Sequence, residues 1–299
     1  MAHRLNGSAT AFDARALIRE GARRLREAGV EVAQREAAWL LGCLLDQRPT
    51  DLYLGEVLVP EGVVERFFQG VDARAAGAPL QYVLGEAEFF GERFLVAPGA
   101  FIPRPETEVV VEAAVERLRA RAQRLRRPLR LLDAGTGTGC IAVTLARALA
   151  PCVVVAVEVS WTVLELARAN AARHRVADRV RFVLGWWTQA CASGGAFDGL
   201  IANPPYIPTA QVDRLPLDVR REPRLSLDGG ADGMRHLREL LREAPRLLAP
   251  AGLMALECGE EQVEPLGERV CAAGWSQEVV PLRDLAQRPR GLLIVKRDS

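Results

Sequence analysis

From Leu129 onward the sequence alternates short apolar runs with amphipathic stretches, and this alternation restricts the fold more than any other feature. The apolar runs predict buried strands at 129–133, 152–158, 180–184, 197–202 and 252–257. Amphipathic stretches predict helices at 139–149, 160–173, 234–248 and near 262–273, and the hairpin-like pair 276–281 and 291–296 follows. Strands that alternate with helices build a mainly parallel sheet covered on both faces, so the predicted fold class is α/β.

The first third of the chain has a different pattern. Apolar residues recur at helical spacing in three stretches of residues 1–77, which predicts a small helical domain with helices at 12–28, 33–45 and 60–76. Residues 78–100 predict a β-hairpin linker, in which 81–84 and 87–96 turn near Gly91-Glu92. Residues 101–299 then form the domain that carries the chemistry, including a loop across 207–233 that we expect over the substrate cleft.

Composition excludes several classes of function. A net charge of +1 over 299 residues gives no general attraction to nucleic acid or to an anionic membrane. The N-terminus lacks an apolar signal core, so a cytoplasmic location is expected. None of the six cysteines forms a C-x-x-C pair, which favours free thiols over zinc ligands. The histidines His3, His174 and His236 are isolated in polar segments that we expect to be exposed, and no metal site or nucleophile–base pair is predicted.

A glycine-rich loop joins the first predicted strand of the sheet to its helix. Its sequence is Gly135-Thr136-Gly137-Thr138-Gly139, a G-x-G-x-G pattern that lets a ligand approach the backbone closely. The spacing differs from the G-x-G-x-x-G of dinucleotide-binding folds, and the P-loop lysine is absent from it. The loop therefore favours a nucleoside ligand without phosphates, although a plain tight turn is the simpler interpretation.

Two further strand ends carry polar or aromatic residues. Glu158 ends the second strand, where a carboxylate can accept hydrogen bonds from ribose hydroxyls. It can also cap the next helix, but Ser160 is the better capping residue. Trp187 follows the third strand, where its ring can stack on a purine or pack in the core. Because parallel strands end at the same edge of a sheet, these residues and the glycine loop are expected to converge.

The fourth strand ends in Asn203-Pro204-Pro205-Tyr206. The prolines stop the strand, and each lacks a backbone donor but keeps its carbonyl as an acceptor. The amide oxygen of Asn203 and the carbonyl of Pro204 can then present two acceptors, with Tyr206 as a flat surface beside them. This arrangement suits a planar –NH2 group. A proline-terminated loop without chemistry is the alternative.

With these motifs the chain resembles the S-adenosylmethionine-dependent amino-methyltransferases, and most closely the HemK family of release factor glutamine N5-methyltransferases. Besides the glycine loop and Asn203 to Tyr206, the resemblance rests on further segments along nearly the whole chain. These are Pro79 to Gly85, Phe101 to Glu108, Glu222 to Arg224, Asp228 to Gly233 and Leu256 to Gly259. The resemblance implies a Rossmann-like seven-stranded class I methyltransferase sheet, joined by the β-hairpin to an N-terminal helical domain that recognises the substrate.

The resemblance also implies roles for individual residues. Gly135, Thr136, Gly137, Thr138 and Gly139 would hold the methionine part of S-adenosylmethionine. Glu158 would bind its ribose, Trp187 would lie near its adenine, and Asn203 would contact it. Asn203, Pro204, Pro205 and Tyr206 would hold the substrate glutamine, with Asn203, Pro204 and Tyr206 catalytic. The chain departs from the family pattern at two positions. Glu158 stands where the family mostly has Asp. Trp186 stands where an Asp is common, so the resemblance implies no side-chain contact from this position to the adenine amino group.

The implied activity is methylation of the side-chain nitrogen of the glutamine in the Gly-Gly-Gln motif of class I peptide chain release factors, with S-adenosylhomocysteine as the second product. The enzyme is expected to be a monomer that binds neither membrane nor nucleic acid directly. A nicotinamide dehydrogenase is disfavoured by the glycine spacing. An adenine N6-methyltransferase shares both motifs, a ribosomal-protein glutamine methyltransferase is closely related, and a non-catalytic binding module would not need both motifs.

Overall fold

A computed structural model describes residues 2–5, 9–189, 191, 194 and 196–298 of the protein. The chain divides into two compact units, Met1–Gly85 with Pro216–Arg221, and Glu86–Leu215 with Glu222–Ser299. Within the described residues, the search for a helix long and apolar enough to cross a bilayer finds none.

The first unit is mainly helical. Its helices are α1 (Ala14–Glu27), α2 (Ala33–Leu45), α3 (Asp51–Leu54), α4 (Glu61–Ala75) and α5 (Leu80–Leu84). Asp13 begins α1 as an N-cap, accepting hydrogen bonds from the backbone nitrogens of Arg15 and Ala16. The apolar faces of α1, α2 and α4 form one core, in which Ile18, Leu41 and Phe67 are fully buried. Burial of such side chains, each contributing about 1.5–3 kcal/mol, holds this unit together.

Two features of the first 100 residues differ from the sequence prediction. A three-stranded antiparallel sheet, β1 (Ala2–Leu5), β2 (Ala9–Asp13) and β3 (Leu58–Pro60), accompanies the helices. Residues 81–84, predicted as a strand, lie instead in helix α5, which Gly85 ends with a φ of 75°. A five-residue segment between a proline and a glycine is too short for periodicity to distinguish helix from strand. The hairpin itself is β4 (Glu86–Phe89) with β5 (Glu92–Leu95), and it belongs to the second unit.

The second unit carries the predicted alternation of helices and strands. Its helices are α6 (Pro105–Arg124), α7 (Cys140–Ala148), α8 (Trp161–Arg173), α9 (Thr209–Val212), α10 (Arg235–Leu247) and α11 (Val263–Ala273). Its remaining strands are β6 (Leu129–Ala134), β7 (Cys152–Glu158), β8 (Val180–Leu184), β9 (Phe197–Ala202), β10 (Leu248–Glu257), β11 (Ser276–Arg283) and β12 (Pro289–Lys296). Short 3-10 helices cover Arg224–Ser226 and Glu260–Gln262, and another, Val219–Arg221, belongs to the first unit.

The large sheet has seven strands in the order β11-β12-β10-β9-β6-β7-β8. Strands β6 to β10 pair in parallel, and β12 pairs antiparallel with both β10 and β11. The strand order reverses beside β6, so β6 and β9 flank the crevice where open α/β sheets bind ligands. The predicted α/β class with a seven-stranded Rossmann-like sheet is therefore confirmed.

Successive residues of each central strand enter opposite cores. Leu131 packs in the cluster formed with α6 and α7, and Leu132 packs in the cluster formed with α10 and α11. All six residues of β9 are buried. A central strand covered on both faces has no polar alternation, which is why these strands read as continuous apolar runs in the sequence.

Candidate active site

An open pocket lies at the carboxyl ends of β6, β7 and β9, within the second unit. Its empty volume is about 950 Å³, which includes space open to solvent. Gly135 follows β6, Glu158 ends β7 and Asn203 follows β9, and all three residues line the pocket. The predicted convergence of strand ends is thus observed in one place.

The glycine loop has backbone angles that explain its sequence. Gly135, Gly137 and Gly139 have φ values of 80°, 55° and 81°, a region that other residues rarely adopt. A Cβ atom at Gly135 would lie 2.4 Å from Cζ3 of Trp187, so a side chain there would displace that ring. The loop therefore needs glycine for its conformation and, at Gly135, also for the close approach of an aromatic wall.

Asp133, the penultimate residue of β6, holds this loop from behind. Its Oδ2 accepts hydrogen bonds from the Thr136 hydroxyl at 2.6 Å and from the Ala142 nitrogen at 3.0 Å. Burial raises the pKa of Asp133 to about 7, against the opposing effect of those two hydrogen bonds. Its Oδ1 has no hydrogen-bond partner among the described residues. The carboxylate thus ties the loop to the first turn of α7.

Glu158 points its carboxylate across the glycine loop. Oε2 accepts a hydrogen bond from the Gly137 nitrogen at 3.1 Å, and Oε1 accepts from the backbone nitrogens of Val159 and Ser160. Ser160 caps helix α8 by accepting from the Val163 nitrogen, as the sequence predicted. Glu158 thus holds the glycine loop and its own turn while it lines the pocket wall.

Trp187 is buried against a histidine that we expected to be exposed. His236 is 3% exposed, and its Nδ1 accepts a hydrogen bond from Nε1 of Trp187 at 3.3 Å. Burial, assisted by Arg235, lowers the pKa of His236, which favours the neutral imidazole that this acceptor role requires. The prediction for His236 was wrong because the apolar face of α10 includes this position. His174 is half-buried and stacks on Phe94. The side chain of His3 lies outside the described part of the chain.

The Asn203–Tyr206 segment is held from several sides. Nδ2 of Asn203 donates to the Thr107 hydroxyl at 2.9 Å, and the Tyr206 hydroxyl donates to Oε1 of Glu257 at 3.2 Å. The backbone carbonyl of Tyr206 accepts from Nε2 of Gln262 at 3.0 Å. Burial raises the pKa of Tyr206, so its hydroxyl stays protonated as a donor. The segment is consequently anchored at both of its polar side chains.

Two of the signature segments meet at one buried carboxylate. Glu222 is 4% exposed and accepts hydrogen bonds from the Ile102 nitrogen at 3.0 Å and from the Arg104 guanidinium. This contact brings residues 101–103 and 223–226 to the same pocket, where Phe101, Pro103 and Leu225 are among the lining residues. Part of the predicted 207–233 loop therefore borders the pocket.

Most of the residues singled out in the sequence line this pocket: Gly135, Thr136, Gly137, Thr138, Glu158, Trp187, Asn203 and Pro205. The lining residues do not include Gly139, Pro204 and Tyr206. Gly139 is the N-cap of α7 and approaches Ala167, and the Tyr206 hydroxyl is turned to Glu257. Phe101, Thr107 and Trp186 also line the pocket, although no role was predicted for them. Phe101 and Thr107 lie in a segment that carries the family resemblance, and Trp186 is one of the two departures from the family. The part of the chain that the structure describes contains no group of three or more His, Cys, Asp or Glu side chains that could hold a metal ion.

Both units of the chain match families of known proteins. Residues 16–85 match the family profile described as PrmC N-terminal domain, and residues 125–285 match the one described as methyltransferase domain. Among solved structures, the hMettl16 catalytic domain in complex with MAT2A 3′UTR hairpin 6 superposes with a TM-score of 0.55, covering 82% of this chain and 85% of that one. At 16% identity this likeness shows a shared fold alone.

Sequence relatives are much closer. The release factor glutamine methyltransferase of Moorella thermoacetica is 43% identical over 287 residues, which cover 95% of this chain and 99% of that protein. Its counterpart in Nitratidesulfovibrio vulgaris is 40% identical over 249 residues, or 81% of each chain. The one in Deinococcus radiodurans is 37% identical over 278 residues, covering 92% and 96% respectively.

The second unit is a methyltransferase with a Rossmann-like class I fold. Three findings define it: the strand order, the pocket beside the point where that order reverses, and the matching domain profile. Relatives that are 37–43% identical over most of their length narrow this class of enzyme to one family. The chain belongs to the family of release factor glutamine methyltransferases.

Proposed function

We propose that this protein methylates the side-chain amide nitrogen of the glutamine in the Gly-Gly-Gln motif of class I release factors, with S-adenosylmethionine as the methyl donor. S-Adenosylhomocysteine is then the second product. Membership of the family supports the protein substrate, and the chemistry of the pocket supports the donor and the amide acceptor.

The residues of the pocket fit a nucleoside that carries positive charge and no phosphate. Glu158 is the one charged residue among the described residues that line the pocket, and none of these is Arg, Lys or His. A pyrophosphate would meet no basic side chain there, which disfavours a nicotinamide dinucleotide. In this proposal Glu158 accepts hydrogen bonds from the ribose, Trp187 lies near the adenine, and residues Gly135–Gly139 hold the methionine part. When bound, S-adenosylmethionine supplies an electrophilic methyl group on a sulfonium.

The orientation of Asn203 is the observation that carries the proposal. Its Nδ2 is engaged with Thr107, and no described residue donates a hydrogen bond to its Oδ1. Because Asn203 lines the pocket, Oδ1 is the acceptor available to an incoming –NH2 group. We assign the second acceptor to the Pro204 carbonyl, which adjoins Asn203 and receives no hydrogen bond from the described residues.

These acceptors address the difficulty of the reaction. An amide nitrogen is a poor nucleophile, since its lone pair is delocalised into the carbonyl. Asn203 and Pro204 accept both N–H bonds of the substrate amide, which aims the nitrogen at the methyl group and draws off the positive charge that develops on it. One N–C bond forms, the S–C bond breaks, and sulfur leaves as a neutral thioether. The methylated nitrogen then releases one proton to water, so no basic side chain is required.

The remaining assignments follow from the family and from the two units. We assign substrate recognition to the helical unit, predicted as residues 1–77, and the methyl transfer to the unit that follows the hairpin. The enzyme is proposed to act as a monomer in the cytoplasm, where its release factor substrates are made. The catalytic role of Tyr206 in this scheme is to shape the loop that presents Asn203.

A competition between acceptors tests the proposal. Purified enzyme is incubated with methyl-labelled S-adenosylmethionine and either a class I release factor, a ribosomal protein, or adenine-containing DNA or RNA. The expected result is label in the release factor. Label confined to nucleic acid would establish an adenine methyltransferase instead, and label in the ribosomal protein alone would change the substrate while keeping the amide chemistry.

A further inference from the structure

Glu257 is a buried carboxylate behind the Asn203–Tyr206 segment, outside the pocket wall. It ends β10, is 2% exposed, and accepts the hydrogen bond of the Tyr206 hydroxyl on Oε1. The Thr107 hydroxyl lies beside the same carboxylate and favours its charged form. Oε2 has no hydrogen-bond partner among the described residues. One carboxylate therefore adjoins the two hydroxyl groups that anchor the segment.

The Thr107 hydroxyl has a single proton, and its direction determines the orientation of Asn203. If that proton is directed to Glu257, the hydroxyl oxygen must accept from Nδ2 of Asn203, which lies 2.9 Å away. Oδ1 of Asn203 is then turned toward the pocket. If the proton were directed to Asn203 instead, the amide would be stable in the reversed orientation, with Nδ2 in the pocket.

We propose that Glu257 is a positioning residue: its ionised carboxylate fixes the hydrogen-bond directions of Thr107 and Tyr206, and thereby keeps Oδ1 of Asn203 facing the substrate amide. An acceptor-only group is required here, since a neutral amide or a protonated carboxyl at this position can donate to Thr107 and release the constraint. The inference rests on the proposed function, because it concerns how the substrate –NH2 group is held.

The surroundings of Glu257 make its ionisation sensitive to pH near neutrality. Burial raises its pKa to about 7, while the Thr107 and Tyr206 hydroxyls oppose that rise. Glu106 of α6 also raises the pKa, and Arg290 of β12 lowers it. Below about pH 7 the protonated form predominates, so turnover is expected to fall about tenfold per pH unit, as for loss of one required negative charge.

Stability depends on pH in the opposite sense. A carboxyl whose pKa is raised from 4.5 to about 7 binds its proton more tightly in the folded protein than in the unfolded chain. Its contribution to folding is fully present below the unfolded pKa and is lost as pH rises to about 7. As pH rises to about 7, turnover therefore increases while this contribution to stability decreases. A carboxylate with a purely structural role would not require turnover to increase over the same pH range.

The test uses the full-length protein with a release factor substrate and the variants Glu257→Gln, Thr107→Val and Thr107→Ser. For Glu257→Gln we expect kcat at pH 8 to fall at least about tenfold, the limb near pH 7 to disappear from the kcat profile, and the Kd for S-adenosylmethionine to stay within about twofold. Thr107→Val is expected to lose turnover similarly, and Thr107→Ser, which keeps the hydroxyl, to regain most of it. Between pH 5 and 7 the unfolding midpoint of Glu257→Gln is expected to depend less on pH than that of the wild type.

Two results would overturn the inference while leaving the proposed function intact. One is a Glu257→Gln enzyme with wild-type kcat and the wild-type pH profile. The other is a variant that loses activity only in proportion to a lowered unfolding midpoint, which would make Glu257 a structural residue. If the wild-type enzyme itself leaves the release factor unmethylated while binding the cofactor, the proposed function fails, and this inference fails with it.

Discussion

Asn203 and Glu158 use their hydrogen-bonding capacity differently. Glu158 accepts three backbone N–H groups, from Gly137, Val159 and Ser160, so much of its capacity maintains the shape of the loop around it. Asn203 donates to Thr107 with one end of its amide, and its other end borders the pocket. Glu158 is therefore held rigidly by its own turn, whereas the orientation of Asn203 is set by Thr107, a side chain of helix α6.

The first prediction concerns the acceptor role of Asn203. In Asn203→Ala, kcat is expected to fall about 10²–10³-fold, because an acceptor that strengthens its hydrogen bond in the transition state is removed. The affinity for S-adenosylmethionine, measured by calorimetry, is expected to stay within about threefold. Gln211→Ala, which removes an exposed amide from the same loop region, serves as the matched control and is expected to retain wild-type kcat. Wild-type turnover by Asn203→Ala would contradict the assigned mechanism.

At the scale of single residues, a site residue could be predicted when the neighbouring sequence identified its place in the fold. The glycine loop, Glu158 and Asn203 each follow a recognisable strand, so their positions at the same edge of the sheet could be predicted. Glu257 also follows a strand, but its importance depends on Tyr206 and Thr107, which come from distant parts of the chain. The burial of His236 likewise depends on its contact with Trp187. Such pairings need the folded structure.

At the scale of elements, the segment 227–233 holds the Asn203–Tyr206 segment by backbone contact. The Ile207 nitrogen donates to the Leu227 carbonyl at 3.1 Å, and the Gly229 nitrogen donates to the Ile207 carbonyl at 2.8 Å. The backbones approach closely at this point, since a Cβ at Gly233 would lie 2.3 Å from the Tyr206 carbonyl oxygen. The glycines of this segment are thus required by the packing of one loop on another.

Gly229→Ala tests this packing. A Cβ at this position would lie 2.5 Å from the Gly233 carbonyl oxygen and 2.8 Å from that of Pro205, so the loops must separate. We expect a loss of about 1–3 kcal/mol in the free energy of unfolding. Turnover is expected to fall at least about tenfold, since a displacement of about 1 Å in a positioned group can cost 10²-fold. Denaturant titration and steady-state kinetics measure the two effects.

Gly267→Ala is the matched control for that substitution. Gly267 lies inside α11, and the nearest atoms to a Cβ there are 3.9 Å away. Alanine is expected to be neutral or to stabilise the protein by up to about 1 kcal/mol, with unchanged turnover. Equal effects of the two substitutions would show that close packing at Gly229 is unimportant.

A buried ion cluster joins α6 to the central strands. Asp198 is fully buried and accepts hydrogen bonds from the guanidinium groups of Arg121 and Arg127 and from the Arg130 nitrogen. Burial raises the pKa of Asp198, but the bonds from Arg127, Arg130 and Arg121 outweigh it, so the pKa lies below the usual value of 3.8. The carboxylate therefore contributes stability that is present above the unfolded pKa and lost as pH falls through the folded one.

Asp198→Asn is predicted to lower the free energy of unfolding at pH 7 by about 3 kcal/mol, because it leaves the arginines without a counter-charge. The deficit relative to the wild type is expected to shrink as pH falls below the unfolded pKa of about 3.8, and to disappear below the lower pKa of the folded protein, where the wild-type carboxylate is protonated as well. Denaturant titrations at several pH values measure this difference. Glu27→Ala, which removes an exposed ion pair with Arg23, is the control and is expected to cost less than about 0.5 kcal/mol. A deficit independent of pH would contradict the account.

At the scale of the whole molecule, the surface of the helical unit bears on substrate recognition. The helical unit exposes several large apolar side chains, including Tyr53 (40%), Leu54 (82%) and Leu58 (41%). Exposed apolar residues are candidates for contact with a protein partner. This property agrees with our assignment of release factor recognition to that unit, while the pocket lies in the other.

Leu54→Asp tests the division of roles. We expect KM for an intact release factor to rise about tenfold, equivalent to about 1.4 kcal/mol of lost contact, with kcat unchanged. KM for a short peptide that contains the target glutamine is expected to stay the same. Leu285→Asp, at a fully exposed position in the second unit, is the control and is expected to change neither value. Identical behaviour of the two variants would remove the helical unit from substrate recognition.

Most of the architecture could be predicted because each central strand is buried on both faces and each helix is amphipathic. Strands β7, β8 and β9 have the bounds that their apolar runs indicated. The small sheet of the first unit escaped prediction, since its third strand, β3, has only three residues. The order of the strands rests on pairing between distant segments, which periodicity does not reveal, and the resemblance implied only a Rossmann-like seven-stranded sheet.

In the proposed function, this chain transfers a methyl group to one glutamine amide of a release factor. The most direct measurement is mass spectrometry of peptides from a release factor treated with enzyme and S-adenosylmethionine, with Asn203→Ala enzyme as the control. The account predicts one added methyl group on the side-chain nitrogen of the glutamine in the Gly-Gly-Gln motif, and its absence with the control enzyme. An unmodified glutamine, or a methyl group on another residue, would contradict it.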